Sequence, residues 1–470
     1  MARKSNKTQV AVVGGGPGGY AAAFMAADLG LQVTLFDPRK NPGGICLFEG
    51  CIPSKALLHA AKLIHEAEGA TDWGITFGKP KISHKKLADW KDEVVRKLTS
   101  GLGQLGRARK VAHVRKPVAF VNNHTVQSED GEESWTFESA IVATGSVPME
   151  LPDFPDYSDD IMDARRALDL KTVPSSLLVV GGGYIGLEMG TVYQALGSRV
   201  TVVEMTPGLL PGVDRDLVNI LKKGLDVRFD DILLNTKVTE MKKQKNGIRV
   251  QLEDSDGKGH RRRFEKVLVA VGRRPMSEGI GLDKAGIRVD DKGFIKVDLR
   301  RRTNQENIYA VGDVAGEPML AHKASHEGRV AAEAIAGHTV AFEPAAIPAV
   351  VFTDPEIAWA GLTETQARET ERKVKVVRFP WAASGRAATL GRSDGTTKLI
   401  IDPESELILG VGIAGPGAGE LIAEGTLAIE MAAVAADLGL TIHPHPTLSE
   451  TLMEGADLFF GQATHFHSRK

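Results

Sequence analysis

The chain has 470 residues, enough for about two to four domains, and its 58 basic and 60 acidic side chains give a net charge of −2. This balance gives no electrostatic reason to expect nucleic acid or a membrane as a partner. Two cysteines are too few for a secreted disulfide framework, and neither a bilayer-spanning apolar run nor a secretory signal over Met1–Lys7 is present, so we expect a soluble cytoplasmic protein.

The first predicted elements form a β-α-β unit around a glycine cluster. The strand, the helix and the second strand are expected over residues 9–13, 21–29 and 32–36. Gly14 would permit a tight turn, Gly16 would let a pyrophosphate approach, and Gly19 would let the helix pack closely on the strand. Asp37 would accept a hydrogen bond from a ribose hydroxyl. The combination favours dinucleotide binding over the alternative, a glycine-rich turn without a ligand.

The same unit recurs later in the chain, with strands expected over 176–180 and 199–203 and a helix that ends at 196. Gly181, Gly183 and Gly186 repeat the glycine positions, and Glu204 repeats the acid. Two such units indicate two different dinucleotides, one held permanently and one exchanged. Because Glu204 would repel a 2′-phosphate and no arginine follows it, the sequence favours NAD over NADP.

The rest of the chain is less regular. Residues 83–114 are predicted to be helical and charged, residues 118–141 form short strands, and a mixed strand-and-helix region begins near 347. The whole pattern predicts an α/β fold with two Rossmann-like nucleotide-binding domains and a C-terminal α+β domain.

Both cysteines of the chain, Cys46 and Cys51, lie within six positions shortly after the first glycine cluster. A helix is expected over 53–65, which begins with a proline and places Cys51 near its N-terminus, where the helix dipole lowers a thiol pKa. Glu49 would oppose this effect with a negative charge beside both sulfurs. The alternative is a pair of buried apolar cysteines, but their clustering favours a redox dithiol that exchanges electrons with a bound cofactor.

Near the C-terminus, His445 is followed by Glu450 after five positions, a spacing that suits a base held by a carboxylate. The alternative is an ordinary polar loop, and the presence of a dithiol to deprotonate favours the base. The segment 464–467 contains two further histidines, but we expect a frayed end there, with no acid or cysteine nearby and no metal. No cysteine–histidine cluster has zinc spacing.

The ordered motifs resemble the pyridine nucleotide–disulfide oxidoreductases, in particular the dihydrolipoamide dehydrogenases. The motifs that carry the resemblance are Gly14–Gly19, Cys46–Lys55, Ala143–Gly145, Gly181–Glu188, Val271–Pro275, Ile308–Asp313 and His443–Glu450. The resemblance implies an FAD domain over 1–149, an NAD domain over 150–276, a central domain over 277–346 that completes the FAD site, and an interface domain over 347–470 that forms a homodimer.

The resemblance also implies a role for each motif residue. Cys46 would be the interchange thiol that meets the lipoyl sulfur, and Cys51 the thiol against the flavin. Lys55 and Glu188 would flank the flavin on the nicotinamide side. His445 and Glu450 would be the acid–base pair that serves the other subunit's site, so each active site would need both chains. The other residues expected at the cofactors are Thr144, Gly145, Gly272, Arg273 and Asp313, the last on the ribityl chain of FAD.

Some residues depart from the common family pattern. Phe48 and Glu49 separate the cysteines where smaller residues or asparagine are usual, and Met276 follows Pro275 where asparagine is frequent. Tyr184 lies in the second glycine loop and resembles a tyrosine that covers the nicotinamide pocket in glutathione reductase. We hypothesise that Glu49 raises the pKa of the reduced thiols and that Tyr184 covers the flavin until NAD arrives.

The expected reaction is oxidation of protein-bound dihydrolipoyl groups through a Cys46–Cys51 disulfide and FAD to NAD, in a reversible sequence. Two alternatives stay open: an NAD(P)H-dependent reductase of another small disulfide, and a non-catalytic flavin-binding scaffold. The lipoyl-bearing partner could belong to a 2-oxoacid dehydrogenase complex or the glycine cleavage system, or be a separate carrier protein.

Overall fold

A computed structural model describes residues 4–151, 154–155 and 157–467, so the first three residues of the Met1–Lys7 segment lie outside the described part. Its helices are α1 (Pro17–Asp28), α2 (Gly44–Glu49), α3 (Cys51–Gly69), α4 (His84–Ala108), α5 (Ala164–Leu168), α6 (Tyr184–Ala195), α7 (Arg215–Arg228), α8 (Ala321–Ile335), α9 (Glu364–Glu369), α10 (Gly385–Thr389), α11 (Ala418–Glu430), α12 (Ala435–Leu440) and α13 (Glu450–Phe460).

Its strands are β1 (Lys4–Val13), β2 (Val33–Phe36), β3 (Ala112–Val114), β4 (Val118–Asn122), β5 (Thr125–Ser128), β6 (Glu133–Val142), β7 (Ser146–Pro148), β8 (Ile161–Met162), β9 (Ser176–Val180), β10 (Arg199–Val203), β11 (Asp231–Leu233), β12 (Thr236–Gln244), β13 (Gly247–Asp254), β14 (Gly259–Phe264), β15 (Lys266–Val269), β16 (Arg273–Pro275), β17 (Ile308–Ala310), β18 (Ala349–Val351), β19 (Ile357–Gly361), β20 (Lys375–Pro380), β21 (Thr396–Ile401) and β22 (Ile408–Ala414).

The first sheet brings distant motifs to one edge. Strands β2, β1, β6 and β17 are parallel neighbours, and the apolar side chains of β1 are fully buried between layers. Because parallel strands end at the same edge, the residues that follow them meet there: the glycine loop after β1, Asp37 after β2, Ala143–Gly145 after β6 and Val311–Asp313 after β17.

The segment predicted as a central domain contributes directly to this first sheet. It supplies β17 and also α8, which lies against α1. The approach of the two helices is close, since a Cβ at Gly328 would lie 2.3 Å from the carbonyl oxygen of Gly18. The predicted domain boundaries themselves stay predictions.

The second sheet repeats this arrangement. Strands β10, β9 and β15 are parallel neighbours, so the glycine loop after β9, Glu204 after β10 and Gly272 after β15 share an edge. The C-terminal region is an antiparallel sheet in the order β18-β19-β22-β21-β20, with α11 and α13 against it and a hydrophobic core of its own. The predicted class, two nucleotide-binding units and a C-terminal α+β domain, is confirmed.

Element ends differ from the sequence expectations at two important places. Helix α1 begins at Pro17, four residues earlier than expected, because proline suits the first helical turn. Helix α3 begins at Cys51, so Pro53 is its third residue and not its first, and Cys51 itself occupies the N-terminus. Cys46 lies on the short helix α2, which the sequence did not predict.

A buried lysine joins the second nucleotide-binding unit to the C-terminal domain. Lys398 is 1% exposed, and its ammonium lies 2.6 Å from Asp214, 2.9 Å from Asp216 and 2.9 Å from Glu364. The cation lies among three carboxylates that would otherwise repel one another. Among the residues described, none of the helices combines the length and the apolar character needed to cross a bilayer.

We expect Lys398→Met to lower the free energy of unfolding by about 3–5 kcal/mol, because it removes the buried cation and leaves the buried Asp214 carboxylate without its ion pair. The other two carboxylates, Asp216 and Glu364, keep their contacts with Arg378. Urea denaturation measures the loss. The matched control is Lys171→Met, which removes an exposed ion pair with Asp159 and should cost less than about 1 kcal/mol. Equal losses in the two variants would contradict a special role for the buried lysine.

Candidate active site

A cavity of about 450 Å³ opens at the carboxyl edge of the first sheet, next to α2, α3 and α6. It brings together predicted residues from several separate motifs, whereas the C-terminal pair, the three glycines of the second loop, Glu204 and Gly272 lie outside it. The predicted residues that line it are Gly14, Gly16, Asp37, Cys46, Cys51, Lys55, Thr144, Gly145, Glu188, Arg273 and Asp313.

The first glycine loop has the close approaches expected of a phosphate loop. Gly14 has φ +105°, and a Cβ there would lie 2.3 Å from the carbonyl oxygen of Ala143. A Cβ on Gly19 would lie 1.8 Å from the carbonyl oxygen of Gly14, so only glycine lets α1 begin this close to the strand. A Cβ on Gly16 would meet no protein atom nearer than 3.9 Å, so the loop is open towards the cavity at this position. The loop and the N-terminus of α1 therefore fit a dinucleotide pyrophosphate.

The second glycine loop has the same construction. Gly181 has φ +107°, and Cβ atoms on Gly181 and Gly186 would each lie 2.4 Å from a carbonyl oxygen. At Gly183 no heavy atom lies within 4 Å of the added Cβ position, so the loop leaves free space there. Tyr184 follows as the first residue of α6 and lines the same cavity as the first glycine loop, so the start of α6 lies beside that loop.

The two acidic residues predicted to bind ribose also accept hydrogen bonds from their own glycine loops. Asp37 accepts hydrogen bonds from the backbone N–H groups of Gly15, at 2.8 Å, and Arg39, at 2.9 Å. Glu204 accepts from the N–H of Gly182 at 2.7 Å and from that of Thr206 at 2.8 Å. This bracing was not foreseen from the sequence. The contact of each acid with a ribose stays a prediction.

The two cysteines are poised as a thiol and a thiolate. The thiol of Cys46 donates a hydrogen bond to the sulfur of Cys51, and this bond, helped by the Lys55 ammonium, lowers the pKa of Cys51 to about 7 against the effects of burial and of Glu188. The same hydrogen bond and burial raise the pKa of Cys46 well above its ordinary value. Cys51 therefore carries the negative charge near neutral pH, while Cys46 keeps its proton.

An ion pair lies beside this dithiol. The Lys55 ammonium is 2.8 Å from a carboxylate oxygen of Glu188, whose side chain is 3% exposed. The C-terminal domain supports the pair through Phe352: its backbone N–H donates to Glu188 at 3.0 Å, and its ring lies 4.7 Å from the Lys55 ammonium. Phe352 was missed from the sequence, because nothing in its local pattern links it to α3 or α6.

The expectation that Glu49 raises the pKa of the thiols is not supported. Its carboxylate lies 3.0 Å from the Arg39 guanidinium and 3.3 Å from that of Arg165, so its charge is compensated. The carboxylate that raises the pKa of Cys51 is that of Glu188. Arg39 also lies over the ring of Phe48 at 4.7 Å, so both unusual residues between the cysteines contact the same arginine.

Polar groups at the far wall of the cavity form a chain. Arg273 donates to the hydroxyl of Ser146 at 2.8 Å, and that hydroxyl donates to Asp313 at 2.5 Å. The hydroxyl of Thr144 donates to the carbonyl oxygen of Met276 at 2.7 Å. Arg273 and Asp313 are thus held in place by Ser146, a residue the sequence did not single out.

His445 and Glu450 are paired, away from the cavity. Nδ1 of His445 lies 2.9 Å from Glu450, whose other oxygen accepts from the N–H of Thr447 at 2.7 Å. Although burial opposes it, the hydrogen bonds from Thr447 and His445 lower the pKa of Glu450. An ionised carboxylate only accepts, so Nδ1 carries the proton and Nε2 is left free. The His445 side chain is 69% exposed, which suits a group that acts outside its own chain.

The expectation of a frayed end over 464–467 is wrong. Nδ1 of His465 lies 2.6 Å from Glu454, a buried residue of α13, whose second oxygen accepts from the backbone N–H groups of Thr464 and His465. The ring of Phe466 contacts that of Phe379 edge-on. An acid does lie nearby, and it anchors the tail to the C-terminal domain.

Comparison with known proteins agrees with this geometry. The family model for pyridine nucleotide-disulphide oxidoreductases matches residues 8–328, and the model for their dimerisation domain matches residues 347–456.

The chain belongs to the pyridine nucleotide-disulphide oxidoreductases.

Relatives named dihydrolipoyl dehydrogenase include a Haemophilus influenzae protein, 48% identical, and a Vibrio cholerae protein, 46% identical, each aligned over 99% of this chain and 98% of its own length. The solved structure of LpdA from Mycobacterium tuberculosis has a TM-score of 0.88 and 26% identity, and covers 96% of this chain and 99% of its own. The predicted resemblance is confirmed. So is the class of activity, an FAD-dependent disulfide oxidoreductase that uses NAD.

The C-terminal domain of this oxidoreductase leaves several large apolar side chains exposed. Four of them are strongly exposed in a single chain: Leu427 at 61%, Met431 at 71%, Leu440 at 81% and Ile442 at 95%. The last two lie within five residues of His445 in the sequence. The dimerisation-domain match supports a homodimer, in which such side chains would be covered.

We expect alkylation of Cys51 in the reduced enzyme by iodoacetamide to rise with pH around a midpoint near 7, because only the thiolate reacts. Glu188→Gln should move the midpoint lower, since it removes a charge that disfavours the thiolate. Glu49→Gln should leave it unchanged, since Arg39 and Arg165 already compensate that charge. Peptide mass spectrometry separates Cys51 from Cys46. A midpoint lowered equally by both substitutions would contradict the compensation.

Proposed function

We propose that the chain oxidises protein-bound dihydrolipoyl groups to lipoyl disulfide and passes the electrons to NAD. The observation that carries the proposal is the Cys46–Cys51 pair, with its hydrogen bond and the pKa of Cys51 near 7, in a cavity built by a dinucleotide loop. Relatives 46–48% identical over nearly the whole chain are named for this activity. The roles of individual residues below are part of the proposal.

The first step is proton removal by His445. Its free Nε2 takes the proton of one substrate thiol, while Glu450 holds Nδ1 and stabilises the imidazolium that forms. The substrate thiolate attacks the sulfur of Cys46 in the oxidised Cys46–Cys51 disulfide. A mixed disulfide forms at Cys46, the Cys46–Cys51 bond breaks, and Cys51 leaves as a thiolate.

The second step closes the product. The other substrate sulfur, as a thiolate, attacks its partner sulfur in the mixed disulfide, so that lipoyl disulfide leaves and Cys46 is released as a thiolate. Cys46 then takes the proton from the His445 imidazolium, and the proton of the second substrate thiol goes to solvent. The result is a Cys46 thiol that donates to a Cys51 thiolate, and the raised pKa of Cys46 and the lowered pKa of Cys51 support this end state.

The first glycine loop would hold FAD and the second would hold NAD. When bound, these groups would supply the two-electron chemistry that takes an electron pair from the dithiol and delivers hydride to the nicotinamide. The residues of the chain would position FAD and NAD and keep the two groups apart. Gly14 and Gly19 let α1 meet the pyrophosphate, Asp313 is held for the ribityl chain, and Tyr184 lies between the two sites. The carboxylate of Glu204 favours NAD over its 2′-phosphorylated form.

We infer a homodimer in which the His445–Glu450 pair of each copy serves the dithiol of the other. The exposed apolar side chains of Leu440 and Ile442, which precede the exposed His445 in the sequence, support this arrangement. The partner would be a lipoyl-bearing protein of a 2-oxoacid dehydrogenase complex or the glycine cleavage system, or a separate carrier. A cytoplasmic location suits a dithiol that cycles with NAD, since reducing compartments keep other thiols reduced.

The direct test is anaerobic addition of dihydrolipoamide to the purified flavoprotein, followed by NAD. We expect the flavin spectrum to change on the first addition and NADH to form on the second. A spectrum that dihydrolipoamide leaves unchanged would sink the proposal. Reduction by NADPH with a glutathione-like disulfide as acceptor would then identify a different disulfide reductase, and no turnover with any disulfide would leave a scaffold.

We expect His445→Ala to lower the rate of dihydrolipoamide oxidation by about 10²–10⁴-fold, because the substrate thiol loses its base. Reduction of a benzoquinone by NADH should change less than about twofold, since it bypasses proton removal from the substrate. His338→Ala, at an exposed histidine elsewhere, is the control. Parallel loss of both activities in His445→Ala would argue for a folding defect and against a base.

We expect Gly183→Ala to fold with unchanged stability but to raise the KM for NAD at least about tenfold. The added Cβ would meet no protein atom within 4 Å, but it would occupy the space where a pyrophosphate is expected to approach the backbone. Gly186→Ala is the contrast, since its Cβ would lie 2.4 Å from a backbone oxygen and should lower the melting temperature. Unchanged NAD kinetics in Gly183→Ala would contradict the assignment of the second glycine loop to the NAD site.

A further inference from the structure

We infer that His443 and Glu424 are positioning residues for His445. The inference rests on the proposed role of His445 as the base. The two histidines are separated by one proline but lie in opposite environments: the His443 side chain is 4% exposed and that of His445 is 69% exposed. His443 is thus turned into the domain while His445 is displayed outside it.

Both ring nitrogens of His443 are engaged. Nδ1 lies 2.8 Å from the carbonyl oxygen of Thr441, and Nε2 lies 2.6 Å from a carboxylate oxygen of Glu424. Because a carbonyl oxygen only accepts, Nδ1 carries a hydrogen and donates it. Two bonds on opposite sides of the ring fix both its rotation and its tilt. No step of the proposed reaction uses this short, largely buried pair.

Glu424 gives the pair a rigid support. It lies on α11, and the next residue, Gly425, faces Val411 of β22 so closely that a Cβ on Gly425 would lie 2.9 Å from that side chain. The helix is therefore seated on the central sheet of the C-terminal domain. The Glu424 side chain, which α11 carries, therefore has a fixed position in the C-terminal domain.

The loop that carries His445 is secured at both ends by side chains. On its C-terminal side, Thr447 donates its N–H to Glu450 and its hydroxyl to the carbonyl oxygen of Pro444 at 2.8 Å. On its N-terminal side, Leu440 and Ile442 are strongly exposed in the single chain, and His443 is the residue that ties the loop to α11. The His443–Glu424 pair therefore fixes the backbone position of the loop, while Glu450 holds the His445 ring, and together they set where Nε2 of His445 points.

Loss of this tie should reduce the rate of proton removal, because a base must lie within hydrogen-bond reach of its proton. It should leave flavin binding and hydride transfer unaffected, since neither His443 nor Glu424 lines the cavity. The expected signature is a lower kcat for dihydrolipoamide with a nearly unchanged KM.

The test compares two substitutions of Glu424. Glu424→Gln keeps a side chain that can hydrogen-bond to Nε2, whereas Glu424→Leu has a similar size and cannot. We expect Glu424→Leu to lower kcat for dihydrolipoamide about tenfold with KM within about twofold, and Glu424→Gln to stay within about threefold of the parent. Reduction of a benzoquinone by NADH should stay within about twofold in both.

The matched control is Glu420→Leu, one turn earlier on the same helix and exposed. An unchanged kcat in Glu424→Leu would overturn the inference, and so would equal loss of kcat in Glu420→Leu. Loss of the NADH–benzoquinone activity, or elution of Glu424→Leu as a monomer, would overturn it in favour of a structural role.

His445→Ala, measured in parallel, separates this inference from the proposed function. An active His445→Ala enzyme would remove the base itself, and the positioning role with it. An inactive His445→Ala enzyme beside a fully active Glu424→Leu enzyme would leave the base in place and remove only the positioning role.

Discussion

The hydrogen bond from the Cys46 thiol to Cys51 is the interaction on which the rest of the site depends. A thiolate in a largely buried position needs compensation, and the hydrogen bond from Cys46 lowers the pKa of Cys51 more than the Lys55 ammonium does, since Glu188 partly opposes the effect of Lys55. The bond requires helices α2 and α3 to meet at a fixed angle. Gly50 forms that junction, where a Cβ would lie 3.1 Å from the carbonyl oxygen of Ile45. Arg39 holds the start of α2 through the carbonyl oxygen of Gly44 at 2.8 Å.

The features that could be predicted from the sequence are those whose partners lie within one motif. The positive φ of Gly14 and the contact of Gly19 with Gly14 follow from one strand–turn–helix unit, and the His445–Glu450 pairing lies within a single turn and helix start. Periodicity likewise gave the two β-α-β units. In each case the local chain fixes the distance between the groups that interact.

The features that failed depend on contacts between separate elements of the fold. The charge of Glu49 looked uncompensated because Arg39 lies on the other side of the loop before α2 and Arg165 comes from the other nucleotide-binding unit. The tail looked frayed because the acid that anchors His465 is buried on α13, and the residues around this glutamate in the sequence do not show that it is buried. Phe352 reaches the Lys55–Glu188 pair from the C-terminal domain. Contacts of this kind need the tertiary fold, which local propensity does not encode.

Under the proposed sharing of His445 between two copies, the exposure of this residue would make the reaction depend on protein concentration. A single chain would then display its proposed base to water and hold its dithiol elsewhere, so it would carry halves of two different sites. Below the dissociation constant of the dimer, every chain would keep its fold, its cofactor loops and its thiolate, yet substrate oxidation would fade by mass action. Concentrating the same solution would restore it. Dilution would therefore act as a reversible switch on one half-reaction while the exchange of electrons with NAD continues within each chain.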